Sequence, residues 1–234
     1  MKRNLLFVLL GIIFLTLMVM CFTFISVKNS SSHPSLPSDA TNGSNPLNSS
    51  NPLNSSNPLN PSNPATGGTP FSVMEDFECN PFKVFGNQLL LCAGDSNKSN
   101  AMTIGWGAMG NIWGMNRPVV TVYVAPGRYT WEFMEKYRYF TVMHFADMKV
   151  YDYMGRNSGR DGDKAAALGL HVAYTKNGTP YYEEADMVLE CAIMYGGQFQ
   201  PSHFRNEVPR EMYANFPAGV HYQYVGDVVG AWKK

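Results

Sequence analysis

Cysteine and histidine are scarce in this 234-residue chain, at four and five residues, and neither type is spaced for a metal ion. Cys21, Cys79, Cys92 and Cys191 form no C-x-x-C pair, and His33, His144, His171, His203 and His221 stand far apart, so no metal site is expected. An excess of charge is missing too, because 18 Lys and Arg offset 18 Asp and Glu. Setting aside the first 70 residues removes Lys2, Arg3, Lys28 and Asp39 and leaves 15 basic and 17 acidic residues. No basic field remains for nucleic acid. A G-x-S-x-G nucleophile elbow is absent, and no catalytic residue is assigned. What the chain does have is ring surface, with 14 Phe, 13 Tyr and 4 Trp, which excludes global disorder. With 21 Gly and 15 Pro around short apolar runs, a helical bundle is disfavoured and a β-rich domain expected.

One apolar run is long. From Leu5 to Val27 only Gly11, Thr16, Thr23 and Ser26 interrupt it, and as a helix it would be about 34 Å long, enough to cross a bilayer. Residues 1–28 therefore read as a transmembrane anchor, with a cleaved signal segment or a lipidated Cys21 as alternatives. Met20 stands where lipidation needs a small residue. Lys2 and Arg3 favour a cytoplasmic amino terminus, which makes the rest extracytoplasmic and membrane-anchored. Residues 29–70 contain a six-residue repeat, Ser-Asn-Pro-Leu-Asn followed by Ser or Pro, at 44–49, 50–55 and 56–61. Such units present no hydrophobic face, so this part reads as a disordered linker. Residues 71–234 are left to form one folded domain.

Within that domain, β-branched and apolar runs at 88–93, 117–124, 139–145, 187–195 and 222–229 read as strands. Helices are expected over 130–137, with Tyr129, Phe133 and Tyr137 on one face and Glu132–Lys136 as an exposed pair, and over 163–168, ended by Gly169. No βαβ alternation appears, so a closed antiparallel barrel with inserted helices fits better than a doubly wound sheet.

Gly105-Trp106-Gly107-Ala108-Met109-Gly110 matches the dinucleotide pattern G-x-G-x-x-G. Asn111, Gly114 and Pro118 forbid the helix that the pattern needs, so it reads as a glycine-rich loop between strands. Residues 158–164, Ser-Gly-Arg-Asp-Gly-Asp-Lys, place two cations and a hydroxyl just before a helix start. That chemistry suits a phosphate, and equally a solvated, salt-bridged loop. Residues 100–106, Asn-Ala-Met-Thr-Ile-Gly-Trp, mix small polar and flat apolar groups, as a pocket for a planar ring does, or as an ordinary strand does. Cys79 and Cys92 could close a disulfide in an oxidising compartment.

The order of these segments, with Asn80-Pro81-Phe82-Lys83, Leu91-Cys92-Ala93-Gly94, Arg117-Pro118-Val119-Val120, Pro126-Gly127-Arg128-Tyr129-Thr130, Leu189-Glu190-Cys191 and His221-Tyr222, resembles the flavin reductase-like, FMN-binding split-barrel family, in its flavoredoxin-type branch. The resemblance spans about residues 80–230. It implies a mainly β, Greek-key split β-barrel, a homodimer, bound FMN, and an oxidoreductase that takes electrons from NAD(P)H or a redox protein. A non-catalytic binding module is the alternative. By position, Asn100, Met102, Thr103, Ile104, Gly105 and Trp106 would line the flavin ring, with Thr103 as a bonding partner. Arg128 and Thr130 would approach the phosphate or ribityl chain, Ser158, Gly159, Arg160 and Lys164 would complete the phosphate side, and His221 would sit at the rim. Relatives commonly carry Arg-Pro-Ser-Arg-Tyr-Thr where this chain has Ala125-Pro126-Gly127-Arg128-Tyr129-Thr130, which removes one cation and one hydroxyl from the phosphate end.

Overall fold

The computed structural model describes residues 68–234. The apolar run and the repeats up to residue 67 lie outside the described residues. Among the described residues no helix is long and apolar enough to cross a membrane. The linker boundary at 70 moves, because Thr69–Pro70 is a short strand, β1, paired with Trp232 and Lys233. A proline is tolerated there because β1 is an edge strand.

The other strands are β2 (Leu89–Gly94), β3 (Ser99–Ile104), β4 (Gly107–Asn111), β5 (Pro118–Val124), β6 (Tyr139–His144), β7 (Val172–Tyr174), β8 (Pro180–Tyr182), β9 (Met187–Gln198) and β10 (Tyr222–Lys233). The helices are α1 (Pro81–Val84), α2 (Tyr129–Lys136), α3 (Met148–Arg156), α4 (Lys164–Leu168) and α5 (Glu207–Ala214). All five predicted strands and both predicted helices are present. The main sheet runs β3-β2-β6-β9-β10-β5-β4, antiparallel throughout, and β7–β8 is a separate hairpin. Its two end strands, β3 and β4, follow each other in the chain with only Gly105 and Trp106 between them. Two residues bridge at most about 11 Å, so the sheet curls until its ends nearly meet, consistent with a flavin reductase-like barrel. The glycine pattern is thus divided differently from its loop reading: Gly105-Trp106 is the link, and Gly107 to Gly110 belong to β4.

β2 explains both layers of the core. Leu89, Leu91 and Ala93 point into the barrel with Val120, Val122, Phe140, Val142 and Leu189, while Leu90 and Cys92 face outward onto α3, α4 and the hairpin. A strand covered on both faces needs no polar alternation, and each fully buried Leu contributes about 1.5–3 kcal/mol. Cys92 is completely buried and Cys79 exposed, and Cys79, Cys92 and Cys191 are all free thiols. The conceivable disulfide is therefore absent. Burial pushes the Cys92 thiol up to about 12, which keeps it protonated and inert.

Three helices were not foreseen: α1, α3 and α5. α3 carries Gly155, Val150 and several aromatics, all weak helix formers, but its Val150, Tyr151 and Met154 are buried against the outer face of the sheet. Gly155 has a reason: a Cβ there would lie 3.3 Å from Thr103 Cβ, so the glycine lets α3 approach β3 closely. α5 buries no residue.

Candidate functional site

A cleft of about 360 Å³ opens where the end of β3, the start of α2, the end of α3, the loop after it and the residue before β10 converge. All thirteen residues assigned to a site from sequence line it. β3 supplies Asn100, Met102, Thr103 and Ile104, and the link to β4 supplies Gly105 and Trp106. Across from them stand Arg128 and Thr130 at the start of α2, then Ser158, Gly159, Arg160 and Lys164, with His221 at the start of β10.

One side of the cleft is flat and apolar, with one polar correction. Thr103 Oγ1 donates a 2.6 Å hydrogen bond to the Tyr151 carbonyl on α3, so its proton is committed and it is left only as an acceptor. Trp106, His221 and Phe216 form an aromatic wall, with ring centroids 4.9 Å apart for Trp106–His221 and 5.1 Å for Phe216–His221. Tyr213 Oη lies 3.1 Å from His221 Nδ1. Burial, and then the positive Arg128, holds the His221 imidazole below the usual histidine range.

Another part of the cleft lining is polar and cationic. Arg128 is the N-cap residue of α2 and makes no side-chain capping bond, so the Tyr129 and Thr130 amides at the helix start have no partner in the preceding turn. The guanidinium of Arg128 has no hydrogen bond or ion pair among the described residues. Thr130 Oγ1 accepts a 2.7 Å bond from Asn100 Nδ2, which leaves its own proton to donate into the cleft. Gly159 passes so near Asn100 that a Cβ would fall 2.0 Å from Asn100 Oδ1. Only glycine fits this close approach.

The three other cations differ from one another. Lys164 is 7% exposed, and its Nζ donates to the carbonyls of Ala101 at 2.6 Å and Met154 at 3.1 Å. One of its three protons is left over, and burial pushes its pKa down. Arg160 stacks on Tyr129, 4.5 Å from the ring centroid, and its guanidinium pairs with Glu132. Glu132 therefore does not make the exposed pair with Lys136 read from the helix spacing. Arg156, from the end of α3, pairs with Asp152. The start of α4 offers no anion site, because Asp163 caps it by accepting from the Ala165 and Ala166 amides. The dipole expected after residues 158–164 comes from α2 instead.

Residues 85–234 match the family model described as the flavin reductase like domain. The chain belongs to this family. No curated protein matches it. Among solved structures, flavoredoxin from Methanosarcina acetivorans is 25% identical, with 68% of this chain and 76% of that chain covered and a TM-score of 0.49. An FMN-binding domain of a flavin reductases-like enzyme from Shewanella baltica is 16% identical over 71% of this chain and 77% of its own, at a TM-score of 0.50. Flavoredoxin of Desulfovibrio vulgaris is 20% identical over 63% and 69%, with a TM-score of 0.49.

The cleft of this flavin reductase-like domain also holds residues that the sequence did not reveal, among them Tyr123, Tyr129, Arg156, Asn157 and Phe216. Tyr129 was placed on the helix face that packs inward, and it does stack edge-on against Phe133. Its ring also carries Arg160. Phe216 lies beyond α5, in a stretch with no regular pattern, and reaches the cleft because the Gly127 amide bonds the Ala218 carbonyl at 2.9 Å. No local sequence signal marks that contact.

Proposed function

We propose that this chain is a membrane-tethered, FMN-binding oxidoreductase of flavin reductase or flavoredoxin type, passing electrons from NAD(P)H or a redox protein through the flavin. The observation that carries the reading is the mixed lining of one cleft: flat aromatic and apolar groups on some walls, and the amides at the α2 start with Arg128 on others. A planar ring bearing a phosphorylated tail presents that same combination of surfaces. When bound, a flavin supplies reversible electron transfer. The residues do the rest. Trp106, Phe216 and His221 would cover the ring and exclude water. Thr130 would donate to the tail, and Arg128 with the first amides of α2 would hold the phosphate. No side-chain acid or base is needed for electrons to reach the flavin.

A homodimer, and a tether through residues 5–27 that places the domain outside the cytoplasm, complete the proposal. A chain that sediments as a monomer and stays in solution without detergent would remove both. The site itself is tested with Arg128→Gln. Since the Arg128 guanidinium bonds nothing among the described residues, melting should be unchanged while FMN affinity drops about tenfold or more, the usual worth of a charge-assisted bond. Unchanged FMN affinity would overturn the assignment of Arg128 to the phosphate. Rapid mixing of the flavin-loaded chain with NADH or NADPH separates the two donor classes, because a carrier served by a redox protein is reduced only slowly.

A further inference from the structure

We propose that Glu132 is a specificity-determining residue of the cleft: by pairing with Arg160 it competes with a ligand's phosphate, and so sets how strongly phosphorylated flavin is preferred over unphosphorylated flavin. This rests on the flavin reading above. Four cations line the cleft, and they are not equally available. Lys164 is buried on two carbonyls, Arg156 is held by Asp152 on its own helix, and Arg128 has no partner among the described residues. Arg160 alone is held by a carboxylate from α2, the helix whose start lines the cleft.

Two contacts aim Arg160. The ring of Tyr129, itself a cleft residue, lies under its guanidinium at 4.5 Å, and Glu132 takes its Nη2 from one side. Both members of the pair are about half exposed, at 47% and 51%, so the bond is screened by water and readily exchanged. A phosphate dianion can draw Arg160 off Glu132 without moving it off Tyr129. Glu132 then loses its ion pair, a cost met only when a phosphorylated ligand takes Arg160. The neutral ribityl tail of riboflavin meets no such opposition.

The test is a fluorescence titration of the full chain with FMN and with riboflavin at low ionic strength. In Glu132→Gln the ratio of riboflavin Kd to FMN Kd should rise about fivefold, as expected for a half-exposed charge pair, and the gain should fade at about 0.5 M salt. In Arg160→Gln the ratio should fall, and adding Glu132→Gln to that variant should restore little, because the two residues act as a pair. A ratio unchanged by Glu132→Gln, or equal shifts for both ligands, would overturn the proposal. So would a full fivefold gain in the Arg160→Gln background, which would make Glu132 independent of Arg160. If the unaltered chain binds neither FMN nor riboflavin, the flavin reading itself falls and this inference with it.

Discussion

At the scale of single residues, cations that look alike in sequence do different work. Arg128, Arg160 and Lys164 were assigned by position through the family resemblance, with their shared positive charge as the physical reason, and charge is what sequence displays. Burial and partners separate them: Lys164 ties β3 to α3 through two carbonyls, whereas Arg128 is free to meet a ligand. Replacing Lys164 therefore tests folding as much as binding. His221 shows the same dependence on surroundings. Its folded pKa is depressed by burial and by Arg128, so its contribution to stability is complete above the unfolded value of about 6.5. That contribution is lost as pH falls through the depressed folded value. The stability difference between the unaltered chain and His221→Asn should shrink when denaturant unfolding is repeated from pH 7.5 down to pH 5. A difference that grows toward acid pH would show the imidazole to be stabilised in its charged form.

At the scale of elements, the outer layer depends on a carboxylate far from the cleft. Glu190 on β9 is fully buried, and its Oε1 accepts from Thr175 Oγ1 at 2.6 Å, Thr179 Oγ1 at 2.7 Å and Asn177 Nδ2 at 3.3 Å. It thereby fastens the turn of the β7–β8 hairpin to the main sheet. Leu189-Glu190-Cys191 stood out in the sequence only as part of a family resemblance. Its partners lie 11 to 15 residues away, in the turn between two strands of three residues each, too short for any period-two pattern to register. Glu190→Ala should leave the two threonine hydroxyls unsatisfied and lower unfolding free energy by about 3 kcal/mol, with ligand binding retained. A loss under about 0.5 kcal/mol in urea unfolding would mean that the hairpin is held by other contacts.

At the scale of the whole molecule, the long β-branched strands were legible because burial on both faces writes itself into the sequence as unbroken apolar runs. The site segments were legible because phosphate and planar-ring chemistry need recognisable residue types. What stayed hidden was held by contacts between distant parts: α3, pinned by the Gly155–Thr103 approach, α5, which buries nothing, and Phe216, brought to the cleft through Ala218. The two-residue link at Gly105-Trp106 was hidden as well, since nothing local says that β3 and β4 lie at opposite ends of the sheet. That link closes the barrel and sets Trp106 beside His221, which is how the curl of the sheet makes the cleft. The most direct test of a flavin-bearing cleft is a visible absorption spectrum of the purified full chain, followed by mass analysis of whatever heat releases. The expected result is a flavin spectrum with FMN released in near-equal amount to protein. A colourless chain that stays colourless after incubation with excess FMN would contradict the oxidoreductase reading and leave a binding module without flavin.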